Sequence, residues 1–145
     1  METASIKKDI AKIIRIIDGD TIKVRLNNRA EVTVRMLLID TPEIKHPKKL
    51  KEPYGEEASN FAKSKLKVNS YVYLEYEDYK LDMYNRVLAY LWYKEGLELK
   101  LYQEVILLEG LAKVSHSHYT QDKYLNLFLE AQYNAKMENK NLWSN

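Results

Sequence analysis

Between Thr21 and Leu26 polar and apolar residues alternate without a break, with Ile22, Val24 and Leu26 on one face and Thr21, Lys23 and Arg25 on the other. A two-residue repeat of this kind demands a strand with one buried and one wet face, and a helix cannot satisfy it. Asn27-Asn28 follows as a turn signal. Beyond it Val32, Val34 and Met36 again share a face, which directs Arg35 to the opposite one. The isoleucine-rich stretch from Ile10 to Ile17 reads as a strand ahead of this pair. Tyr71 to Tyr76 and Val87 to Tyr93 read as two more, joined by a charged loop. Residues 40–53 hold all three prolines and many lysines, so a loop is expected there. Helical spacing of Ala58, Phe61, Ala62 and Leu66 predicts a helix from Tyr54 to about Val68. A second is predicted over Glu98–Leu108, with Gly110 as terminator. A third is predicted from Gln121 to about Glu138, with Leu125, Phe128, Leu129 and Gln132 on one side.

Five strands, with one helix after the third and two more at the end, define an α+β, mainly β chain. The expected architecture is a five-stranded OB-type barrel carrying three α-helices. A chain of 145 residues is long enough for one real core without covalent staples. The expected division is a disordered N-terminal arm over residues 1–8 and a single domain over 9–145. With no cysteine, disulfides and thiolate-bound zinc are excluded. No apolar run approaches the roughly 20 residues that cross a bilayer, so no membrane partner is expected. The net charge of +2 excludes a generic polybasic binder. Even so, Lys45, His46, Lys48, Lys49 and Lys51 crowd together beside the acids of residues 40–43. A basic loop there draws in a polyanion that the carboxylates alone would repel; the plainer reading is a well-solvated lysine loop.

Three charged clusters fall at strand ends: Asp18-Gly19-Asp20, Arg35 with Asp40-Thr41-Pro42-Glu43, and Asp82-Met83-Tyr84-Asn85-Arg86. Oxygen-rich acidic sites suit hard cations such as calcium, and guanidinium groups suit phosphate. Together they make a set fit for cleaving a phosphodiester. Each cluster has a structural reading as well. Asp18-Gly19 is a hairpin turn that places Asp20 at the head of the next strand. Asp40-Thr41-Pro42-Glu43 looks like a capped helix start, but Ile44-Lys45-His46-Pro47 has no helical period, which leaves Glu43 as a free carboxylate. Arg35 alone reads as a solvated strand arginine, and Arg86 as half of a surface ion pair with Asp82. Twelve tyrosines, Tyr71, Tyr73, Tyr76 and Tyr79 among them, read as strand formers and core edges rather than a stacking platform. Trp92 and Trp143 read as packing residues.

In order and spacing, several stretches of the chain resemble the staphylococcal nuclease (thermonuclease) family over nearly the whole length. They are Ile17-Asp18-Gly19-Asp20-Thr21, Arg35 through Glu43, Lys45-His46-Pro47-Lys48-Lys49, Tyr54-Gly55 with Glu57-Ala58-Ser59, Asp82 with Tyr84 and Arg86, Gly110 through Val114, and Asn141-Leu142-Trp143-Ser144. The resemblance implies calcium-dependent endonuclease cleavage of single- and double-stranded DNA and of RNA, leaving 3′-phosphate ends. It implies Asp20, Asp40 and the Thr41 carbonyl as calcium ligands, Asp18 behind them orienting metal-bound water, and Glu43 as general base. Arg35 and Arg86 become a phosphate clamp, Tyr84 a phosphate contact, and Lys48 and Lys49 substrate contacts. A secreted or surface role with a leader removed is expected on the same ground, and a monomer by default. The chain departs from the family pattern at Met83, where a lysine is usual, at Asn85 and Val87, where glycines are, and at His116 and His118, which stand where two tyrosines bind substrate. His116 and His118 also admit a reading as a metal pair, with no third ligand nearby. The competing function is a non-catalytic nucleic-acid-binding module, which gives no reason to keep Asp20, Arg35, Asp40, Glu43 and Arg86 together. A calcium-stabilised structural domain leaves both arginines unexplained.

Overall fold

The computed structural model describes residues 7–44, 52–78, 81–116 and 120–145. Lys45, His46, Lys48, Lys49, Lys51, Tyr79 and His118 lie outside the described residues, as do residues 1–6 of the expected arm. The strands are β1 (Lys7–Asp18), β2 (Thr21–Leu26), β3 (Glu31–Met36), β4 (Ile39–Asp40), β5 (Tyr71–Tyr76), β6 (Val87–Glu95), β7 (Glu98–Leu101) and β8 (Lys113–Val114). The helices are α1 (Gly55–Lys65), α2 (Tyr102–Leu108) and α3 (Leu125–Met137), with a short 3₁₀ turn at Asn141–Trp143.

Five strands run in the order β3-β2-β1-β5-β6, and a parallel pairing of β3 with β6 closes the ring. Closure is possible because β1 serves two neighbours in turn. Its first half pairs with β5 from Lys7 to Lys12, and its second half with β2 from Ala11 to Asp18. Register shifts between Ile13 and Arg15 and between Ile16 and Asp18 bend the strand, as an extra unpaired residue does. The inward set comes from the alternation visible in the sequence: Ile13, Ile22, Val24, Val34, Met36, Val72, Leu74, Ala89 and Leu91 are all buried. Each of these side chains other than Ala89 stabilises the barrel by about 1.5–3 kcal/mol relative to exposure.

Three expectations need correction. First, β1 starts at Lys7, two residues inside the segment expected as an arm. Second, the helix expected over Glu98–Leu108 is half strand. Gly96 at φ +64° makes a tight turn after β6, and residues 98–101 pair back onto Glu95 through Trp92 before the chain turns helical at Tyr102. Glu98-Leu99-Lys100-Leu101 alternates in period two, a signal too short to separate from the helix that follows it. Third, the third helix begins at Leu125 and buries Phe128, Ala131 and Ala135, while Leu129 faces water. In addition, β4 and β8 form a two-stranded ribbon, Ile39 opposite Val114 and Asp40 opposite Lys113, which two-residue strands cannot announce in sequence.

The entry into α3 is tied to the barrel through Glu75, a carboxylate only 1% exposed on β5. It accepts hydrogen bonds from Trp92 Nε1 at 2.7 Å, Lys123 Nζ at 2.5 Å and the Tyr124 hydroxyl at 2.9 Å. Tyr124 in turn meets Tyr90 edge-on at 4.7 Å. Burial pushes the Glu75 carboxyl up, but the bonds from Lys123, Trp92 and Tyr124 outweigh it and hold the group below its ordinary value. A carboxyl lowered on folding contributes stability above its unfolded value near 4.5, and that contribution is lost as pH falls through the folded value. Glu75→Gln is therefore expected to cost about 2 kcal/mol at pH 7. In urea titrations the gap to the parent should narrow at pH values well below 4.5, and an unchanged gap there would refute the assignment.

Candidate active site

The turn Asp18-Gly19-Asp20 joins β1 to β2 at the barrel mouth. Gly19 is needed there for close approach, not for a left-handed φ. A Cβ at this position would stand 2.9 Å from Thr41 Oγ1 and 3.1 Å from Ala58 Cβ, so the turn lies flat against the residue after β4 and against α1. From beneath, the Tyr102 hydroxyl donates to the Gly19 carbonyl at 2.6 Å, from a ring with no exposed surface. The turn thus delivers Asp20 into a nearly closed position, 5% exposed. Its Oδ1 accepts from Thr21 Oγ1 at 2.8 Å and its Oδ2 from the Thr41 N–H at 3.0 Å.

Arg35 sits opposite Thr21 in the β2–β3 register, which brings it beside Asp20. It is not the solvated arginine that strand alternation suggests. Its Nη1 donates to the carbonyls of Met36 at 2.9 Å and Ile39 at 2.8 Å. Its Nη2 bonds Asp40 Oδ1 and lies 3.2 Å from Asp20 Oδ2. One guanidinium therefore ties together the end of β3, the start of β4 and both acids. Between those strands Leu38 adopts φ +70°, unusual for a bulky residue and costing about 1–2 kcal/mol. That turn is held from two sides: Gln103 Nε2 donates to Leu37 O at 3.2 Å and the Ser115 N–H to Leu38 O at 2.8 Å.

Negative charge gathers around this point. Asp18 is pushed up to about 6 by burial, then by Asp20 and Glu43, while Arg35 and the Ile44 N–H pull it the other way. Glu43 is exposed; its backbone N–H donates to Glu52 Oε1 at 2.8 Å, and the Glu52 N–H returns a bond to Glu43 O at 3.3 Å. Thr41 is buried, and its hydroxyl has no partner among the described residues. The donors collected here are all oxygens, the set a hard cation such as calcium takes. Among the described residues no three His, Cys, Asp or Glu side chains already form a cage; Arg35 Nη2 bonds both Asp20 and Asp40 instead.

Arg86 stands at the head of β6. Val34 pairs with Val87 and Arg35 with Leu88. Arg86 lies two residues before Leu88, so the strand repeat puts both arginines on one face. The preceding turn is built on Asp82, whose Oδ1 accepts from the N–H groups of Tyr84 and Arg86, each at 2.9 Å, and whose Oδ2 accepts from Arg86 Nε at 2.7 Å. Burial raises the Asp82 carboxyl, but the Arg86 and Tyr84 amides and the Arg86 side chain more than offset this and hold it below the ordinary range. Asp82 is thus more than a surface partner: it shapes the turn and aims Arg86, whose guanidinium lies 5.2 Å over the Tyr84 ring. Tyr84 is exposed, and Met83 beside it is 85% exposed.

His116 follows β8, with a buried Nε2 that has no partner among the described residues. His118, Lys48 and Lys49 lie outside them. Sequence reasoning missed Tyr102 and Gln103, which bind the site's backbone from α2, and Lys113, opposite Asp40 in the β4–β8 ribbon. A polar residue inside an apolar helical stretch was the only hint of the first two. Tyr102→Phe keeps the ring and leaves the Gly19 carbonyl unpaired. Urea denaturation should show a loss of about 1–3 kcal/mol, and a variant as stable as the parent would mean that the bond holds nothing.

The family model described as Staphylococcal nuclease homologue matches residues 33–145. The chain is 44% identical over 132 residues to the SPbeta prophage-derived endonuclease YokF of Bacillus subtilis (strain 168), covering 90% of this chain and 42% of that protein. It is 40% identical over 134 residues to the thermonuclease of Staphylococcus hyicus, covering 92% and 75% respectively. It is 43% identical over 132 residues to the endonuclease YncB of Bacillus subtilis (strain 168), covering 90% and 59%. The chain thus spans less than half of YokF and under two thirds of YncB. With its closed barrel, its helices and these matches, the chain belongs to the staphylococcal nuclease family.

Proposed function

We propose that this chain is a calcium-dependent, sequence-nonspecific endonuclease that hydrolyses phosphodiester bonds of DNA and RNA. The observation that carries the reading is the convergence of Asp20 and Asp40 on Arg35, with Arg86 on the same face and Glu43 close enough to raise Asp18. The names of the relatives, endonuclease and thermonuclease, support it. Asp20, Asp40 and the Thr41 carbonyl are the residues that would hold the cation, with Asp18 behind them. When bound, a calcium ion supplies positive charge to a phosphoryl oxygen and relieves the repulsion among these carboxylates.

Glu43 takes a proton from the attacking water as its oxygen bonds to phosphorus. The bond from phosphorus to the 5′ oxygen breaks, that oxygen takes a proton from solvent water and leaves as a hydroxyl, and a 3′-phosphate end remains. Charge accumulating on the equatorial oxygens is met by the positive charge of Arg35, whose Nη groups hold the site's carbonyls and carboxylates, and by N–H donors from Arg86. Arg86 is suited to this because Asp82 fixes it through Nε alone. Tyr84 lies at the same turn, placed for a neighbouring phosphate. Phosphate contacts carry little base information, which accounts for nonspecific cutting. A monomer is proposed by default.

Cleavage of single-stranded DNA in millimolar calcium should stop in chelator and fall by about 10²–10⁴ in Glu43→Gln, with Arg86→Ala comparably impaired. DNA binding without cutting in any divalent metal would overturn the reading in favour of a binding module. Met83 tests the departure from the family pattern. Met83→Lys places a cation beside Tyr84 and should lower KM for DNA at low salt by roughly twofold to fivefold, with the gain fading as salt screens it; an unchanged KM would show that this turn does not touch substrate phosphate.

A further inference from the structure

The outward face of β1, β5, β6 and β7 carries a surface that uses none of the site's residues. Ala11, Val72, Leu74 and Leu91 point into the core, so their strand neighbours point out. One row across the sheet is Ile10, Tyr73 and Trp92, each the register partner of the next, with the buried Leu101 beyond Trp92. In the adjoining row Lys12 is opposite Tyr71, and Lys94, two residues beyond Trp92 on β6, shares the face of Trp92. A third lysine, Lys8, sets its Nζ 5.9 Å over the Trp92 ring.

Packing does not account for Tyr71, although Trp92 packs partly against the core. Tyr71 is 61% exposed, and Tyr73 and Trp92 are only partly covered. The indole is nonetheless fixed, its N–H bonded to Glu75 and its ring edge-on to Tyr124 at 6.1 Å. Of the acids near this face, Glu75 is buried and paired with Lys123, Glu98 lies 3.5 Å from Lys100, and Glu104 lies beside Trp92. Rigid aromatic faces set among lysines suit a partner with π surfaces and a charged backbone. Neighbouring strands are about 4.8 Å apart, so the rings stand within reach of successive bases.

We infer that this face is a second nucleic-acid contact that holds a single-stranded stretch, with unpaired bases stacked on Tyr71, Tyr73 and Trp92 and phosphates on Lys8, Lys12 and Lys94. The inference deepens the nuclease reading and rests on it for the choice of partner. Duplex is disfavoured because its bases are already stacked on one another.

The test is fluorescence anisotropy of a labelled oligothymidylate of about 16 nucleotides, in chelator so that nothing is cut. A Tyr71→Ala, Lys94→Ala variant should bind at least about fivefold more weakly, with a salt slope shallower by about one. Tyr71→Phe, which keeps the ring, should retain the parent's affinity. The same loss should appear when Tyr71→Ala and Lys94→Ala are added to a Glu43→Gln, Arg86→Ala background; binding there that still depends on Tyr71 would stand even if calcium-dependent cutting were never found. Equal affinity in the face variant, equal affinity for a duplex of the same length, or self-association that the variant abolishes would each overturn the inference.

Discussion

Arg35 is a permanent cation withdrawn almost wholly from water, and the mouth of the barrel is organised around satisfying it. A guanidinium in that position is tolerated only when its donors are matched. Two main-chain carbonyls and two carboxylates do this, drawn from β3, β4 and the β1–β2 turn. The same contacts that stabilise the charge also bring Asp20 and Asp40 together. Removing either acid would leave a buried charge under-paired, so the site and the local fold are one construction.

That construction depends on supports from elsewhere in the chain. The positive φ of Leu38 persists because Gln103 and Ser115 hold the carbonyls on either side of it. The Asp18-Gly19-Asp20 turn lies against Thr41 because Gly19 has no side chain, and Tyr102 anchors it from α2. Arg86 reaches the same face only because β6 runs parallel to β3 and closes the barrel. Closure itself needs β1 to bend, which its two register shifts allow. Strain at the rim is thus maintained by packing and hydrogen bonds behind it, the usual means by which irregular backbone survives at a functional surface.

Legibility in the sequence followed the length and regularity of each signal. The barrel strands were readable because period-two alternation persists for six residues in β2 and β5. Strand β7 was absorbed into a helix because four alternating residues precede Tyr102 without a break. The ribbon of β4 with β8 was invisible, since two-residue strands carry no period. Leu129 faces water, against its apolar spacing, because the buried stripe of α3 is narrow, made by Phe128, Ala131 and Ala135. Tyr71 reads as a strand former, which it is, but its exposure depends on no helix among the described residues covering that part of the sheet.

Residue type and order alone determined that acids, arginines and a spare glutamate would fall at strand ends, because alternation fixes where strands stop and chemistry fixes what each side chain can bind. Which of these groups meet was a tertiary matter. Asp20 and Arg35 are fifteen positions apart and Tyr102 is 83 from Gly19, and such distances close only when the barrel does. Tertiary structure also turned Arg35 from a solvated strand residue into a buried clamp. The physical reason is that burial and partnership belong to the whole fold: no local pattern states which donor faces which acceptor until the sheet has closed around them.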